Sequence, residues 1–176
     1  MLNDLTAEML SEALGPDELA LMLVEAARID ADCHDPRSGF VELLKSIRET
    51  RQGFDYRLAA DTCNGLTAAV WMTGRQRERL AQFGDVLFFD GTHKSNTHDF
   101  ILFLPTVLDE EKHAHRVAAA VCESENAEAA TWIVERMQEM YPLWDANVYR
   151  TTFTDSGLGT EWVRRALPGM FSIHVR

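Results

Sequence analysis

The sequence predicts an α/β protein built on a mixed β-sheet, and two observations support that class. A short apolar run, Val86–Phe89, ends on Asp90 and a Gly-Thr turn; its β-branched and aromatic residues are typical of a strand buried on both faces. From this run onward the predicted order is three strands with short links, then helix, strand, helix and strand. Short links indicate an antiparallel meander, whereas helical crossovers allow parallel neighbours.

Residues 1–53 are predicted to form an acidic helical region. Gly15-Pro16-Asp17-Glu18 has the pattern of a helix start, because proline suits the first turn and acidic side chains favour the positive end of the helix dipole. A loop, Cys33–Gly39, is expected before a second helix. That helix is indicated by the helical spacing of Phe40, Val41, Leu43, Leu44 and Ile47.

A β-hairpin is predicted over residues 54–72, in front of a core that spans residues 84–176. Apolar and polar residues alternate over 54–60, which is the period of a strand, and Leu66–Met72 reads as the second strand. Asn64-Gly65 is a favourable pair for the turn between them.

A short helix, Gly74–Phe83, should follow the hairpin, because Thr73 and Gln76 have the spacing of a capping box. This helix carries Arg75, Arg77 and Arg79. Two interpretations stay open at this point: a solvated helix face, or a patch that contacts phosphate groups.

The remaining elements of the core are predicted from apolar runs and from the proline and charged residues that interrupt them. Phe100–Leu108 and Arg116–Cys122 are predicted strands, and Pro105 indicates a bulge or an edge position in the first of them. A charged turn, Asp109-Glu110-Glu111-Lys112, joins the two strands. A helix over Ala127–Met140 should begin at Glu125-Asn126, with Ala130, Ile133, Val134 and Met137 on its inner face.

Two aspartates stand where predicted strands end. Tyr149–Thr154 is rich in β-formers and ends on Asp155, as Val86–Phe89 ends on Asp90. A helix over Leu158–Leu167 and a last strand over Met170–Val175 complete the chain. Two strands that deliver carboxylates to one sheet edge can form a divalent-metal site, since Mg²⁺ prefers hard oxygen ligands.

The order of these motifs resembles the Mutator-like element (MULE) transposase domain. That family shows a strand ending D-x-T-x-x-x-N, an acidic-Asn pair that opens a helix, a Thr-Asp pair that closes the fourth strand, and a histidine in the last strand. The matching residues here are Asp90, Thr92, Asn96, Glu125, Asn126, Thr154, Asp155 and His174. The resemblance covers roughly residues 54–176.

The resemblance implies a ribonuclease-H-like fold and a DDE-type DNA transposase that acts on transposon ends in the nucleus. Asp90 and Asp155 would be catalytic ligands of two Mg²⁺ or Mn²⁺ ions. Glu125 would either assist a metal or cap its helix, and Thr92 and Asn96 would brace the turn. DNA contacts are expected from Lys94 and the three arginines of the short helix, and a homo-oligomer is compatible with this family.

The family's third carboxylate lies downstream of the second, and the chain ends 21 residues after Asp155 without it. We therefore expect a ribonuclease-H-like core that is incomplete at its C-terminus: the catalytic-core fragment of a transposase, inactive alone. The alternatives are a domesticated DNA-binding or transcription-regulatory protein, or a remnant without function. Whether the chain is an enzyme stays open.

Bulk composition narrows the class of protein. No apolar run approaches the length of a transmembrane helix, and no signal peptide is evident, so an intracellular protein is expected. Three widely spaced cysteines argue against a disulfide framework. A net charge of −11 is unlike a stand-alone DNA-binding module. His93, His98, His113 and His115 share no repeated metal-ligand spacing, so exposed turn histidines are expected rather than zinc ligands.

Overall fold

The computed structural model describes residues 36–63, 65–89, 91–92, 100–144, 150–155 and 170–175, with only the backbone described for 36–38, 92, 150–155 and 170–175. Three helices lie in this part: α1 Pro36–Thr50, α2 Gly74–Phe83 and α3 Ala127–Met140. The strands are β1 Asp55–Ala60, β2 Leu66–Met72, β3 Val86–Phe89, β4 Gly91–Thr92, β5 Ile101–Phe103, β6 Thr106–Leu108, β7 Ala114–Arg116, β8 Ala119–Cys122, β9 Arg150–Asp155 and β10 Met170–Val175.

The sheet that holds the two predicted aspartate strands has the order β10-β9-β3-β6-β7. β3 pairs antiparallel with β6, and β6 pairs antiparallel with β7. β9 lies parallel to β3, and β10 lies parallel to β9. The predicted meander, the mixed sheet and the placement of the fourth strand beside the first are therefore confirmed. The predicted helix Leu158–Leu167 lies outside the described residues.

A second sheet has the order β1-β2-β8-β5-β4 and is built largely from the same three meander strands. Each meander strand is interrupted once, and its two halves pair in different sheets. The second strand breaks around Pro105, which has no N–H for a ladder, and the carbonyl oxygen of Pro105 accepts a hydrogen bond of 2.8 Å from Val117 N at the break in the third. In the first strand, β3 ends at Phe89 in one sheet and β4 begins at Gly91 in the other.

The main core lies under α3. The four residues predicted for its inner face, Ala130, Ile133, Val134 and Met137, are all fully buried. They belong to a cluster with side chains of β2, β3 and β5, where the rings of Phe89 and Phe103 lie 5.3 Å apart. The apolar period of α3 thus predicts its packing face correctly.

α1 packs on a second apolar cluster that includes β2. The ring of Phe40 meets Trp71 edge-on at 5.7 Å, and Leu43, Leu44 and Ile47 are buried in the same cluster. The predicted loop Cys33–Gly39 is wrong at its end, because α1 begins at Pro36. Proline is compatible with a first helical turn, whose N–H groups have no intrahelical acceptor. The helix predicted from Gly15 lies outside the described residues.

One local prediction concerns the cap of α2, and another concerns the turn between β1 and β2. The capping box of α2 is confirmed: Thr73 Oγ1 accepts from Gln76 N at 3.2 Å, and Gln76 Oε1 accepts from Thr73 N at 2.8 Å. In the hairpin, Asp61 organises the turn, since its Oδ1 accepts from Cys63 N at 2.8 Å and from Gly65 N at 2.7 Å. Asn64 lies outside the described residues.

Candidate functional site

The register of β3 and β9 defines the candidate site. Phe89 of β3 pairs with Thr154 of β9 in a parallel ladder. The next residue of β9 is Asp155, and the next residue of the chain after Phe89 is Asp90. Asp90 itself lies outside the described residues, and only the backbone of Asp155 is described. The predicted adjacency of the two aspartate-bearing strands is present in the strand pairing.

Glu125 reaches this place from the entry of α3. A Cβ on Gly91 would lie 2.5 Å from Glu125 Oε1 and 3.0 Å from Glu125 Cδ. The carboxylate therefore lies in space that any side chain on the residue after Asp90 would fill. Glycine makes this approach sterically feasible, because it has no Cβ.

The N-cap of α3 is Asn126. Its Oδ1 accepts a hydrogen bond of 2.8 Å from Ala129 N, and its Nδ2 donates to Ser124 Oγ at 3.0 Å. Of the two sequence interpretations of Glu125, a cap or a residue that assists a metal, the capping role is taken by its neighbour. Glu125 is half-buried and directed toward the end of β3.

Glu125 offers carboxylate oxygens near the end of β3, and in the sequence Asp90 follows β3 and Asp155 is the last residue of β9. Carboxylate oxygens are the ligands that Mg²⁺ and Mn²⁺ prefer. Gly91 has no side chain, so the Glu125 carboxylate can lie against its backbone. Within the described residues, no group of three or more His, Cys, Asp or Glu side chains could hold a metal ion. A centre at this edge would need Asp90, so metal binding stays a proposal.

The residues predicted to support the motif are described only in part. Thr92 lies in β4, where it pairs with Leu102. His174 pairs with Thr154 in the parallel ladder between β10 and β9, one position before Asp155. Lys94 and Asn96 lie outside the described residues.

The three arginines of α2 have different surroundings. Arg75 is exposed. Arg77 points toward Asp55 of β1, with Nη2 4.0 Å from Asp55 Oδ2. Arg79 lies over the ring of Phe83, with Cζ 5.9 Å from the ring centroid. The described side chains of α2 thus offer three separate environments rather than one basic face.

Sequence reasoning missed a carboxylate–histidine cluster at the turn between β6 and β7. Asp109 Oδ2 lies 2.8 Å from His115 Nε2 and 3.3 Å from His113 Nδ1. These contacts, led by the hydrogen bond from His115, lower the pKa of Asp109 to about 2. The only sequence signal for this cluster is the closeness of the residues along the chain, since Asp109 and His115 are six positions apart.

The expectation of exposed turn histidines holds for only one member of this pair. The side chain of His113 is 66% exposed, whereas that of His115 is 24% exposed and its ring stacks on Phe83 at 5.9 Å. His115 is therefore a packing residue as well as a hydrogen-bond donor. His93 and His98 lie outside the described residues.

Comparison with known protein families matches residues 45–163 to the RNaseH-like domain of zinc finger SWIM domain-containing protein 1/3. This match confirms the ribonuclease-H-like fold that is expected from the sequence. No curated protein matches the chain. Among the described helices, none is long and apolar enough to cross a membrane.

Proposed function

We propose that this chain is the catalytic-core fragment of a Mutator-like DNA transposase. The chain belongs to the RNaseH-like domain family of zinc finger SWIM domain-containing protein 1/3. Its substrate class is the phosphodiester backbone of DNA at transposon ends. Its site is a Mg²⁺ or Mn²⁺ centre held by Asp90, Asp155 and Glu125. Action in the nucleus and assembly as a homo-oligomer belong to the same proposal.

The single observation that supports this function is that three chain segments meet at the C-terminal ends of β3 and β9: these two strands and the segment before α3. The Phe89–Thr154 pair aligns the two strands whose next residues are aspartates. Gly91, directly after Asp90, is the residue against which the Glu125 carboxylate lies. Three carboxylates from separate elements are the donor set that the resemblance to a DDE-type transposase implies, and hard oxygen ligands suit Mg²⁺ and Mn²⁺.

Glu125 changes the expected ligand set. The family resemblance implies a third carboxylate well downstream of Asp155, whereas Glu125 lies between the two strands in the sequence and beside Gly91 in space. Bound metal ions would supply a more acidic water and neutralise charge on the leaving oxygen. The task of the chain is to hold the three carboxylates close together despite their mutual repulsion.

The test is a thermal melt of the purified chain with and without Mn²⁺, because a ligand that binds only the folded state raises Tm. We expect a rise that is lost in Asp90→Asn and Asp155→Asn and reduced in Glu125→Gln. Glu128→Gln, which removes an exposed charge from the first turn of α3, should keep the full rise. The proposal would be contradicted if the folded chain showed no change in Tm with Mn²⁺. It would also be contradicted if the Mn²⁺-dependent rise in Tm persisted in both Asp90→Asn and Asp155→Asn.

A second candidate is a DNA-binding or regulatory domain that no longer cuts. It is favoured by the matching family description, which names zinc finger proteins. DNA binding that persists in EDTA, together with a Tm that does not respond to Mn²⁺, would support this candidate over the first.

A further inference from the structure

Asp55, the first residue of β1, is surrounded by three guanidinium groups from different elements. Arg57 Nη1 of β1 lies 2.9 Å from Asp55 Oδ2, and Arg48 Nε of α1 lies 3.5 Å from Oδ1. Arg77 Nη2 of α2 approaches Oδ2 at 4.0 Å. One carboxylate thus faces three positive charges, which leaves local positive charge in a chain whose net charge is −11.

A second carboxylate extends the cluster to α3. Glu139 Oε2 lies 3.5 Å from Arg57 Nε, and Glu139 Oε1 lies 3.0 Å from Arg136 Nη1. Arg136 also approaches Glu135, at 3.4 Å. We call Arg48, Arg57, Arg77 and Arg136 the arginine cluster. Its four arginines outnumber the three neighbouring carboxylates of Asp55, Glu135 and Glu139. The arginines come from α1, β1, α2 and α3, so the tertiary fold sets their geometry.

Arg77 is the least satisfied member of the arginine cluster. Its side chain is only 22% exposed, yet within the described residues its guanidinium makes no hydrogen bond, and its one ion pair is at 4.0 Å. Its Nε and the Nε of Arg136 are both buried and find no hydrogen-bond partner among the described residues. A buried donor without a partner costs free energy, and the part of the Arg77 guanidinium that stays exposed can bond to water or to an anion.

We propose that the arginine cluster binds consecutive phosphate groups of a DNA backbone, with Arg77 as its inner anchor. The planar fork of a guanidinium matches phosphate oxygens in pairs. Arg48, whose side chain is 56% exposed, and Arg136 offer their charge to an approaching strand. The identity of the polymer rests on the proposed function, whereas the anion site rests on the geometry of the cluster.

A network that served only to bridge the four elements would place each guanidinium in hydrogen-bonding contact with a carboxylate, as Arg57 is with Asp55. Arg48 and Arg77 instead approach Asp55 at 3.5 and 4.0 Å, and no hydrogen bond of the described residues joins either of them to it. The shared carboxylate holds the arginines near one another. Their remaining donors are the feature that a phosphate group can use.

The experiment measures binding of a labelled duplex oligonucleotide by fluorescence anisotropy in EDTA, at several salt concentrations. Each lost phosphate contact should weaken binding and reduce the slope of log K against log salt by about 1. We expect this for Arg48→Gln, Arg77→Gln and Arg136→Gln. Lys112→Gln, which removes an exposed positive charge from the turn between β6 and β7, should keep the original slope.

EDTA separates this test from the metal proposal, because no divalent cation is present. Circular dichroism checks that each variant is folded, and the exposed Arg48 keeps the test valid if Arg77→Gln does not fold. An unchanged slope in Arg48→Gln and Arg136→Gln, or an equal change in Lys112→Gln, overturns the proposal. Failure of the original chain to bind DNA overturns it as well.

Discussion

The carboxylate of Glu125 lies against the backbone of Gly91, close enough that a Cβ on Gly91 would be 2.5 Å from Glu125 Oε1. Gly91 begins β4 directly after Asp90, and Glu125 precedes the N-cap of α3. The contact therefore joins the end of the central strand to the start of the crossover helix. It makes the residue at position 91 a steric control on where the Glu125 carboxylate lies.

Gly91→Ala should displace this carboxylate. The added methyl would also lie 3.2 Å from Ile101 Cγ2, so the local backbone cannot shift freely toward β5. We expect a loss of at most about 1 kcal/mol in the free energy of unfolding, below the usual cost of overpacking, because the end of the flexible Glu125 side chain can move aside. We also expect a smaller Tm rise with Mn²⁺. Urea unfolding and the metal melt measure the two effects.

Gly74→Ala is a suitable control for Gly91→Ala, since a Cβ there meets only Gly53 Cα at 3.7 Å. A double-mutant cycle with Glu125→Ala tests the cause directly. If the overlap with Glu125 is responsible, Gly91→Ala should cost less stability when Glu125 is already truncated. A full, additive cost in that background would show that Ile101 or the backbone is the obstacle.

The sequence predicts what local periodicity and chain order control. The inner face of α3, the capping box at Thr73 and the order of the sheet are recoverable, because each follows from spacing between near neighbours or from known connection rules. The sequence does not predict the position of Pro36 in α1, since proline is common both in loops and in first helical turns. No local pattern separates these two uses.

The contacts that shape the candidate site are long-range and therefore escape a reading of the sequence. Gly91 and Glu125 are 34 positions apart, and nothing in either residue type announces the other. Arg48, Arg57 and Arg77 likewise meet at Asp55 only because α1, β1 and α2 pack together. The one available signal is Gly91, directly after Asp90. A glycine at such a position indicates that another group approaches the backbone closely, but it does not indicate that this group is Glu125.

Gly84, between α2 and β3, should tolerate no side chain. A Cβ there would overlap the carbonyl oxygen of Leu80 and lie 3.1 Å from Trp144 Nε1, although the φ of −71° suits any residue. We expect Gly84→Ala to cost about 1–3 kcal/mol in the free energy of unfolding. Urea unfolding measures it against Gly74→Ala, and a loss no greater than that of Gly74→Ala would contradict the steric argument.

Thr73 should contribute to stability through its cap of α2. Thr73→Ala removes the acceptor for Gln76 N and should lower the free energy of unfolding by about 1 kcal/mol. Thr73→Ser keeps the hydroxyl and should retain most of the stability. Chemical denaturation of both variants is the measurement, and equal losses would show that the threonine methyl, rather than the cap, matters.

Asp109 should give the chain an acid-sensitive component of stability. Its Oδ1 accepts hydrogen bonds from Glu111 N at 3.0 Å and His113 N at 2.8 Å, so the side chain also holds the turn between β6 and β7. The pKa of its carboxyl falls from 3.8 to about 2, chiefly because of the hydrogen bond from His115. A carboxylate whose pKa is lower in the folded state binds protons less readily than in the unfolded chain.

The resulting stabilisation is present above the unfolded pKa of 3.8 and is lost as the pH falls toward 2. Urea unfolding from pH 5 to pH 2 should therefore show a steeper loss of stability in the original chain than in Asp109→Asn, whose side chain does not titrate. Glu110→Gln removes an exposed charge from the same turn and should retain the steeper loss. Carboxyl NMR should place the titration midpoint of Asp109 near pH 2. A titration midpoint near 3.8, or parallel stability curves for the original chain and Asp109→Asn, would show that His115 does not hold this carboxylate in solution.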